Sequence, residues 1–355
     1  MNANNPATRD SRVESFRIAL MWGIVSYHLL IHGLPGALGI PACSAVINLL
    51  HAAVPCFVLL SGWYGIRPSV RGFVRLWFLV LFYGILELAV YVFGFGSTID
   101  WKNALRFVLP LYGSRWWFFT AYLSLYLVSP VLNAFVKASR PQQIWGGALA
   151  LFLIAFWFKL GTVGAALSKQ NSLALFSGLY LLGNRLRFLQ SDSIRREMPF
   201  RRPAGLLAVA AIGSIVFGWM APTSELFARI NGVLFFQYNS PGLILLASAV
   251  VLSVLAAPRT WHSGIVNRLA ASVFAVYVLH EGNPALSPRL YEWFGSIAEG
   301  RHPIAAVGLA MIGGVSVLAV GLSVDLLLRP VRETASAIIA KAVELGVKRI
   351  SACGR

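Results

Sequence analysis

Residues 72–95 have the sequence GFVRLWFLVLFYGILELAVYVFGF, in which Arg75 and Glu87 are the only charged side chains. An α-helix rises about 1.5 Å per residue, so about 20 apolar residues cross the roughly 30 Å of hydrocarbon in a bilayer. The stretch is long and apolar enough to do so. It therefore predicts a transmembrane helix.

Similar apolar runs continue on both sides of this stretch. Hydrophobic residues make up 57% of the 355 residues, only 12% are charged, and the mean hydropathy is +0.70. A soluble domain is nearer half apolar and a quarter charged. We therefore predict an all-α, polytopic integral membrane protein that forms a single domain over residues 1–355. About ten transmembrane helices are expected, at approximately 16–34, 42–63, 72–95, 117–137, 144–165, 171–188, 203–220, 241–257, 264–281 and 303–328.

The excess of basic residues has two interpretations. The chain has 30 Lys and Arg against 13 Asp and Glu, a formal charge of +17, which in a soluble protein would suggest nucleic acid. In a membrane protein the positive-inside rule explains it better. With ten spans and a cytoplasmic N-terminus, 22 of the 30 basic residues fall on the inner side. We expect both termini in the cytoplasm, a basic cytoplasmic tail over 329–355, no appended extracytoplasmic domain and no nucleic-acid partner.

Two residues of the first span stand out because ionisable groups are costly inside a membrane. Arg17 and His28 are eleven residues apart, so both lie on one helix face, separated by about 16 Å along the axis. Glu14 precedes Arg17 by three residues, close enough to pair with its guanidinium. The alternatives to function are that Arg17 anchors the helix at the inner surface and that His28 is a packed, hydrogen-bonded histidine. Spacing alone does not separate these interpretations.

Four segments together resemble the acyltransferase-3 family of polytopic membrane O-acyltransferases. They are Glu14 to Arg17 followed by ten residues and His28; VPCFVLLSGW at 54–63; Arg115-Trp-Trp-Phe-Phe119 continuing through Tyr126 to Pro130; and Ser272 through Tyr277 to His280. Their order and spacing across residues 14–280 make the resemblance specific. Ser61 and Gly62, within the second segment, are expected to allow close helix packing or to end a helix.

The resemblance implies transfer of an acyl group, most often acetyl, from a cytoplasmic acyl-CoA to a sugar hydroxyl. The acceptor would be a surface or exported glycan or a lipid-linked sugar, and the protein would lie in the inner membrane of a bacterium. We expect Arg17, with one or more of Arg67, Arg71 and Arg75, to hold the phosphates of coenzyme A by charge-assisted hydrogen bonds. These last three arginines are equally well explained as inner anchors.

The candidate catalytic residues are His28, Glu14 and His280. His28 could deprotonate the sugar hydroxyl, or it could itself be acylated and pass the group on. His280 could bind the acceptor, or it could be structural at the interface. No metal is expected, because no spacing of His and Cys suggests a converging ligand set. Asp325 is expected to pair with a nearby arginine. The main alternative function is a transporter or flippase for a lipid-linked or anionic solute, and the oligomeric state stays open.

Overall fold

The computed structural model describes residues 9–109, 111, 116–160, 173–188, 201–257, 260–281, 283–284 and 286–353. Within these ranges the regular structure is entirely helical. Arg115, from the third family-like segment, lies outside these ranges. So does most of the connection 189–202, between the predicted spans 171–188 and 203–220.

Helices in the amino-terminal half are α1 Ser11–Gly33, α2 Pro41–His51, α3 Ala53–Tyr64, α4 Val70–Ala89, α5 Trp101–Val108, α6 Trp117–Ala138, α7 Pro141–Leu160 and α8 Leu173–Phe188. Those in the carboxyl-terminal half are α9 Arg201–Met220, α10 Glu225–Asn231, α11 Pro241–Ala256, α12 Gly264–Ala270, α13 Val273–Glu281, α14 Leu286–Ala298 and α15 Pro303–Cys353. Single π-helical turns at Val90–Gly94 and Gly232–Phe236 follow α4 and α10.

Five helices in the described part of the chain are long and apolar enough to cross a membrane. They cover Pro41–Tyr64, Val70–Gly94, Trp117–Ala138, Ala204–Thr223 and Pro303–Val347. Glu225–Phe236 and Pro241–Ala256, bent by 42°, would together make a sixth. The multi-pass, all-helical architecture is thus confirmed.

The predicted number of ten spans is not confirmed, for an identifiable reason. Within the described residues each predicted apolar run falls on one or two helices, but several of these helices are short or polar. α8 has 16 residues, and the run at 264–281 is divided between α12 and α13, of 7 and 9 residues. The topology with ten spans and both ends inside remains a prediction.

α1 lies at the centre of the bundle, in contact with α2, α3 and α11 to α15. Its first turn is capped by Asp10, whose side chain accepts a hydrogen bond from the backbone of Arg12. Ser11 donates to Asn267 of α12 over 2.8 Å, and Trp22 donates to the carbonyl of Met311 in α15, also over 2.8 Å. These contacts fix the depth of α1 against α12 and α15, which lie before and after the fourth family-like segment in the chain.

Glycines allow α3 and α8 to cross at close range. A Cβ atom at Gly62 would overlap the carbonyl group of Tyr180, and one at Gly183 would overlap that of Leu59. Without side chains at these two positions the backbones touch, as small residues permit in membranes. The expected packing role of Gly62 is confirmed.

Asp325 of α15 forms a buried ionic cluster. Its carboxylate is inaccessible and accepts hydrogen bonds from the Tyr83 hydroxyl of α4 and from Arg332, whose Nη2 lies 3.1 Å from it. Arg329 approaches the same carboxylate at 3.4 Å and donates to the Ser272 hydroxyl over 2.6 Å. The expected pairing of Asp325 with an arginine is confirmed, and the cluster joins α15 to α4 and to the start of α13.

Candidate functional site

The structure brings two helices together at His28. In the last third of α1, the His28 Nδ1 atom lies 2.8 Å from the Glu281 carboxylate and 2.9 Å from Nε2 of His280, both at the end of α13. His28 and His280 are buried, with 9% and 6% of their surfaces exposed. We call His28, His280 and Glu281 the His28 site.

The hydrogen bonds determine where the protons lie. The Nδ1 atom of His280 is 2.8 Å from the Val276 carbonyl, which can only accept, so Nδ1 carries the hydrogen and Nε2 of the neutral ring is an acceptor. His28 Nδ1 then faces two acceptors, Nε2 of His280 and the Glu281 carboxylate, and must itself be the donor. The remaining nitrogen of a neutral His28, Nε2, therefore has a free lone pair. This is the arrangement in which a carboxylate orients an imidazole base or nucleophile.

A cavity of about 590 Å³ lies beside the His28 site, bounded by the end of α1, the end of α13 and one face of α14. Glu281 lines it, as do His32 and Tyr291. The rings of His28 and His32 are 5.5 Å apart, and His32 is 5.2 Å from the ring of Tyr291. The Tyr291 hydroxyl donates to Glu281 over 3.4 Å. Burial, together with the Glu281 carboxylate, raises the pKa of the Tyr291 phenol, so it keeps its proton and can act as this donor.

The predicted cofactor-binding arginines lie toward the opposite end of α1. Arg17 Nη1 is 3.0 Å from the Glu14 carboxylate, and about a third of its side chain is exposed. Glu14 lies fourteen residues before His28, about 21 Å along the helix axis, and does not contact it. Arg67, Arg71 and Arg75 are exposed around the start of α4, and none of them has an ion pair within the described residues.

Aromatic side chains pack beside His28, beginning with Tyr27, whose ring lies 5.4 Å from that of His28. The Tyr27 ring stacks on that of His51, which meets Tyr238 edge-on at 4.2 Å. Tyr238 in turn stacks on Trp117, at the entry of α6. Tyr277 accepts a hydrogen bond from the backbone of Phe118, so the third and fourth family-like segments are in contact.

Sequence reasoning named His28 and His280 but did not place Glu281 in the site. Glu281 is adjacent to His280 in sequence, at the end of an apolar run. Its position there, as an ionisable residue at the end of a predicted span, was the available signal. Tyr291 carried no such signal, because only the packing of α14 against α1 brings it near.

The ligand atoms of His28, His32 and Glu281 all lie within 4.8 Å of one another, so these residues could hold a metal ion. Two histidines and a glutamate also form one of the ligand sets of catalytic zinc sites. The spacing of His and Cys in the sequence did not reveal this convergence, and the expectation that no metal binds stays a prediction.

The fold and the His28 site define a multi-pass membrane protein with a buried imidazole that is hydrogen-bonded to a carboxylate. The family model described as an acyltransferase domain, that of the acyltransferase-3 family, matches residues 10–325. The chain belongs to this family, which confirms the resemblance seen in the sequence and supports acyl transfer at a membrane. Neither the comparison with curated proteins nor that with solved structures returned a match.

Proposed function

We propose that the protein transfers an acyl group, most simply acetyl, from a cytoplasmic acyl-CoA to a hydroxyl of a sugar in an exported or surface glycan. It would act in the inner membrane of a bacterium, with ten spans and both termini in the cytoplasm. The observation that carries the proposal is the hydrogen bond from His28 Nδ1 to Glu281, beside a cavity and on the same helix as Arg17.

His28 is the general base in this proposal. Its Nε2 atom takes the proton of the acceptor hydroxyl while the hydroxyl oxygen attacks the thioester carbonyl. A carbon–oxygen bond forms, the carbon–sulfur bond breaks, and the proton passes from His28 to the departing thiolate of coenzyme A. Glu281 stabilises the imidazolium that forms in between, at a distance of 2.8 Å from Nδ1.

His280 acts as a positioning residue. Its Nδ1 is committed to the Val276 carbonyl, so the ring cannot turn, and its Nε2 accepts from His28. Together with Glu281 it holds the His28 ring in one orientation and one tautomer.

Arg17 anchors the donor at the opposite end of α1. Glu14 holds the guanidinium in place, and Arg17 with Arg67, Arg71 and Arg75 supplies positive charge for the phosphates of coenzyme A. The axial separation of Arg17 and His28, about 16 Å, suits a donor that is long and carries its phosphates and its thioester at opposite ends.

The test compares His28→Asn with His302→Asn in purified full-length protein. Asparagine keeps a polar side chain but cannot act as a base. His302 is exposed, lies just before the start of α15, and belongs neither to the His28 site nor to the cavity lining. We expect His28→Asn to lower acetyl-CoA-dependent transfer by about 10²-fold or more, and His302→Asn to leave it unchanged. Equal activity of the two variants would contradict the proposal.

Rapid-quench measurement without acceptor separates the two roles of His28. If His28 is a general base, no acylated protein accumulates. A burst of acylated protein that His28→Asn abolishes would instead show that Nε2 carries the acyl group. A transporter or flippase, the alternative from another class, would cleave no thioester in either experiment.

A further inference from the structure

The cavity beside the His28 site has an acidic lining. Glu281 contributes from α13, Glu292 from α14, and Glu299 from the residue just after the end of α14. Among the described residues that line the cavity there is no lysine or arginine. A group that enters thus meets three carboxylates, and the described lining offers no lysine or arginine to offset their charge.

The cavity adjoins the His28 site through Glu281. The Glu281 carboxylate lines the cavity and also accepts the hydrogen bond of His28. The rings of His32 and Tyr291 continue from His28 along the wall, with centroids 5.5 Å and 5.2 Å apart in turn. A molecule held there touches Glu281, the hydrogen-bond partner of His28, and so lies one side chain away from the His28 ring.

The remaining lining suits a molecule rich in hydroxyl groups. The hydroxyls of Ser287, Ser296 and Tyr291 already donate within the protein, so they and the carboxylates accept hydrogen bonds from the hydroxyls of a ligand. The Tyr291 ring presents an apolar face. The cavity volume of about 590 Å³ is within the range of small-ligand sites, about 300–1,000 Å³.

The same lining discriminates by charge. A negative group about 7 Å from one carboxylate is disfavoured by about threefold in water, and by more where water is excluded. Three carboxylates together would disfavour it by about tenfold or more, with partial screening by salt. Neutral groups escape this penalty, and a protonated amine is favoured by the same field.

We propose that this cavity is the acceptor site and selects a sugar that carries no negative charge, either neutral or amine-bearing, against acidic sugars. The inference rests on the proposed function, because it identifies the cavity with the acceptor side of the transfer.

The test measures binding of three trisaccharides that differ in charge: oligomers of glucose, glucosamine and glucuronic acid. Equilibrium dialysis with the purified full-length protein in detergent requires no turnover. We expect the glucose and glucosamine oligomers to bind with Kd values at least tenfold lower than the glucuronic acid oligomer at about 0.1 M salt. Equal or tighter binding of the acidic oligomer, or no binding of any oligomer at millimolar concentration, would overturn the proposal.

Variants of the lining carboxylates test whether they cause the preference for sugars without negative charge. Replacing both Glu292 and Glu299 by glutamine should narrow the difference in Kd between the neutral and acidic oligomers by about fivefold, about twofold for each charge removed at this salt concentration. Glu225→Gln, at an exposed carboxylate paired with Arg229, is the matched control and should leave the difference unchanged. If the difference in Kd narrows equally in the control, or does not narrow in the double variant, the cavity does not cause the charge selection.

Thioester cleavage with a crude glycan extract as acceptor, which supplies sugars of every charge, distinguishes failure of this inference from failure of the proposed function. Release of coenzyme A by the wild type but not by His28→Asn tests the function alone. If the neutral and amine-bearing oligomers bind more tightly than the acidic one but no thioester is cleaved, the cavity is a sugar-binding site and the proposed enzymatic function is wrong. If cleavage depends on His28 but the three oligomers bind equally, the proposed enzymatic function is supported and the charge selection by the cavity is wrong.

Discussion

At the scale of single residues, His28 is distinguished by its partners. Histidines within predicted spans also occur at 32 and 51, yet only His28 has a ring nitrogen within 3 Å of both a carboxylate and a second imidazole in the described structure. In the proposed mechanism the negative charge of Glu281 is the more important of the two contacts, because it stabilises the imidazolium.

Glu281→Gln tests this point. Glutamine can still accept a hydrogen bond from His28 but has no charge, so we expect kcat to fall by about 10²-fold with little change in the KM for acyl-CoA. The measurement is steady-state transfer by the purified variant, with Glu225→Gln as the control. A change confined to KM would show that Glu281 only binds substrate.

At the scale of helices, the crossing of α3 and α8 shows how a short motif shapes the bundle. Gly62 belongs to the Ser-Gly end of the second family-like segment, and Gly183 is its counterpart in α8. Each lies against backbone of the other helix, which cannot move aside as a flexible side chain can.

Gly62→Ala should therefore destabilise the fold. We expect a loss of about 1–3 kcal/mol, the usual result of overpacking a close contact. Gly308→Ala is the control, since a Cβ atom there would meet nothing within 4 Å. Unfolding in mixed detergent micelles measures both, and equal stability of the two variants would contradict the close crossing.

The buried cluster around Asp325 belongs to the same scale, since it ties α15 to α4. Asp325→Asn leaves Arg332, which is 3% exposed, without its counter-charge. We expect a loss of about 3–5 kcal/mol in the free energy of unfolding, because an uncompensated buried charge is costly. Glu333→Gln, one residue beyond Arg332 and without an ion pair among the described residues, should have little effect.

At the scale of the whole molecule, cysteine labelling tests how the helices cross the membrane. Ten spans place the start of α4 inside and the α14 face outside. In a Cys353→Ser background, a membrane-impermeant maleimide applied to intact cells should label Ser296→Cys and Glu225→Cys but not Arg71→Cys. The native Cys43 and Cys56 are inaccessible and should not be labelled. Labelling of Arg71→Cys in intact cells would refute the topology.

The amino-acid sequence by itself determined the class of the protein. Apolar runs are local, so they predicted where helices form, and the family-like segments that include Arg17 and His28 were enough to identify the family. Helical periodicity is also local, and it placed both residues on one face of α1 before any contact was known.

Only the tertiary structure decided which residues complete the site. His28 and Glu281 are 253 positions apart, and their contact depends on how α13 and α14 pack around α1. The same packing left Glu14 at the far end with Arg17 and made the acidic cavity from three separate helices. The physical reason is that the position of a residue within one helix follows from the local chain, whereas a site between helices follows from their relative rotation and depth, which no single segment encodes.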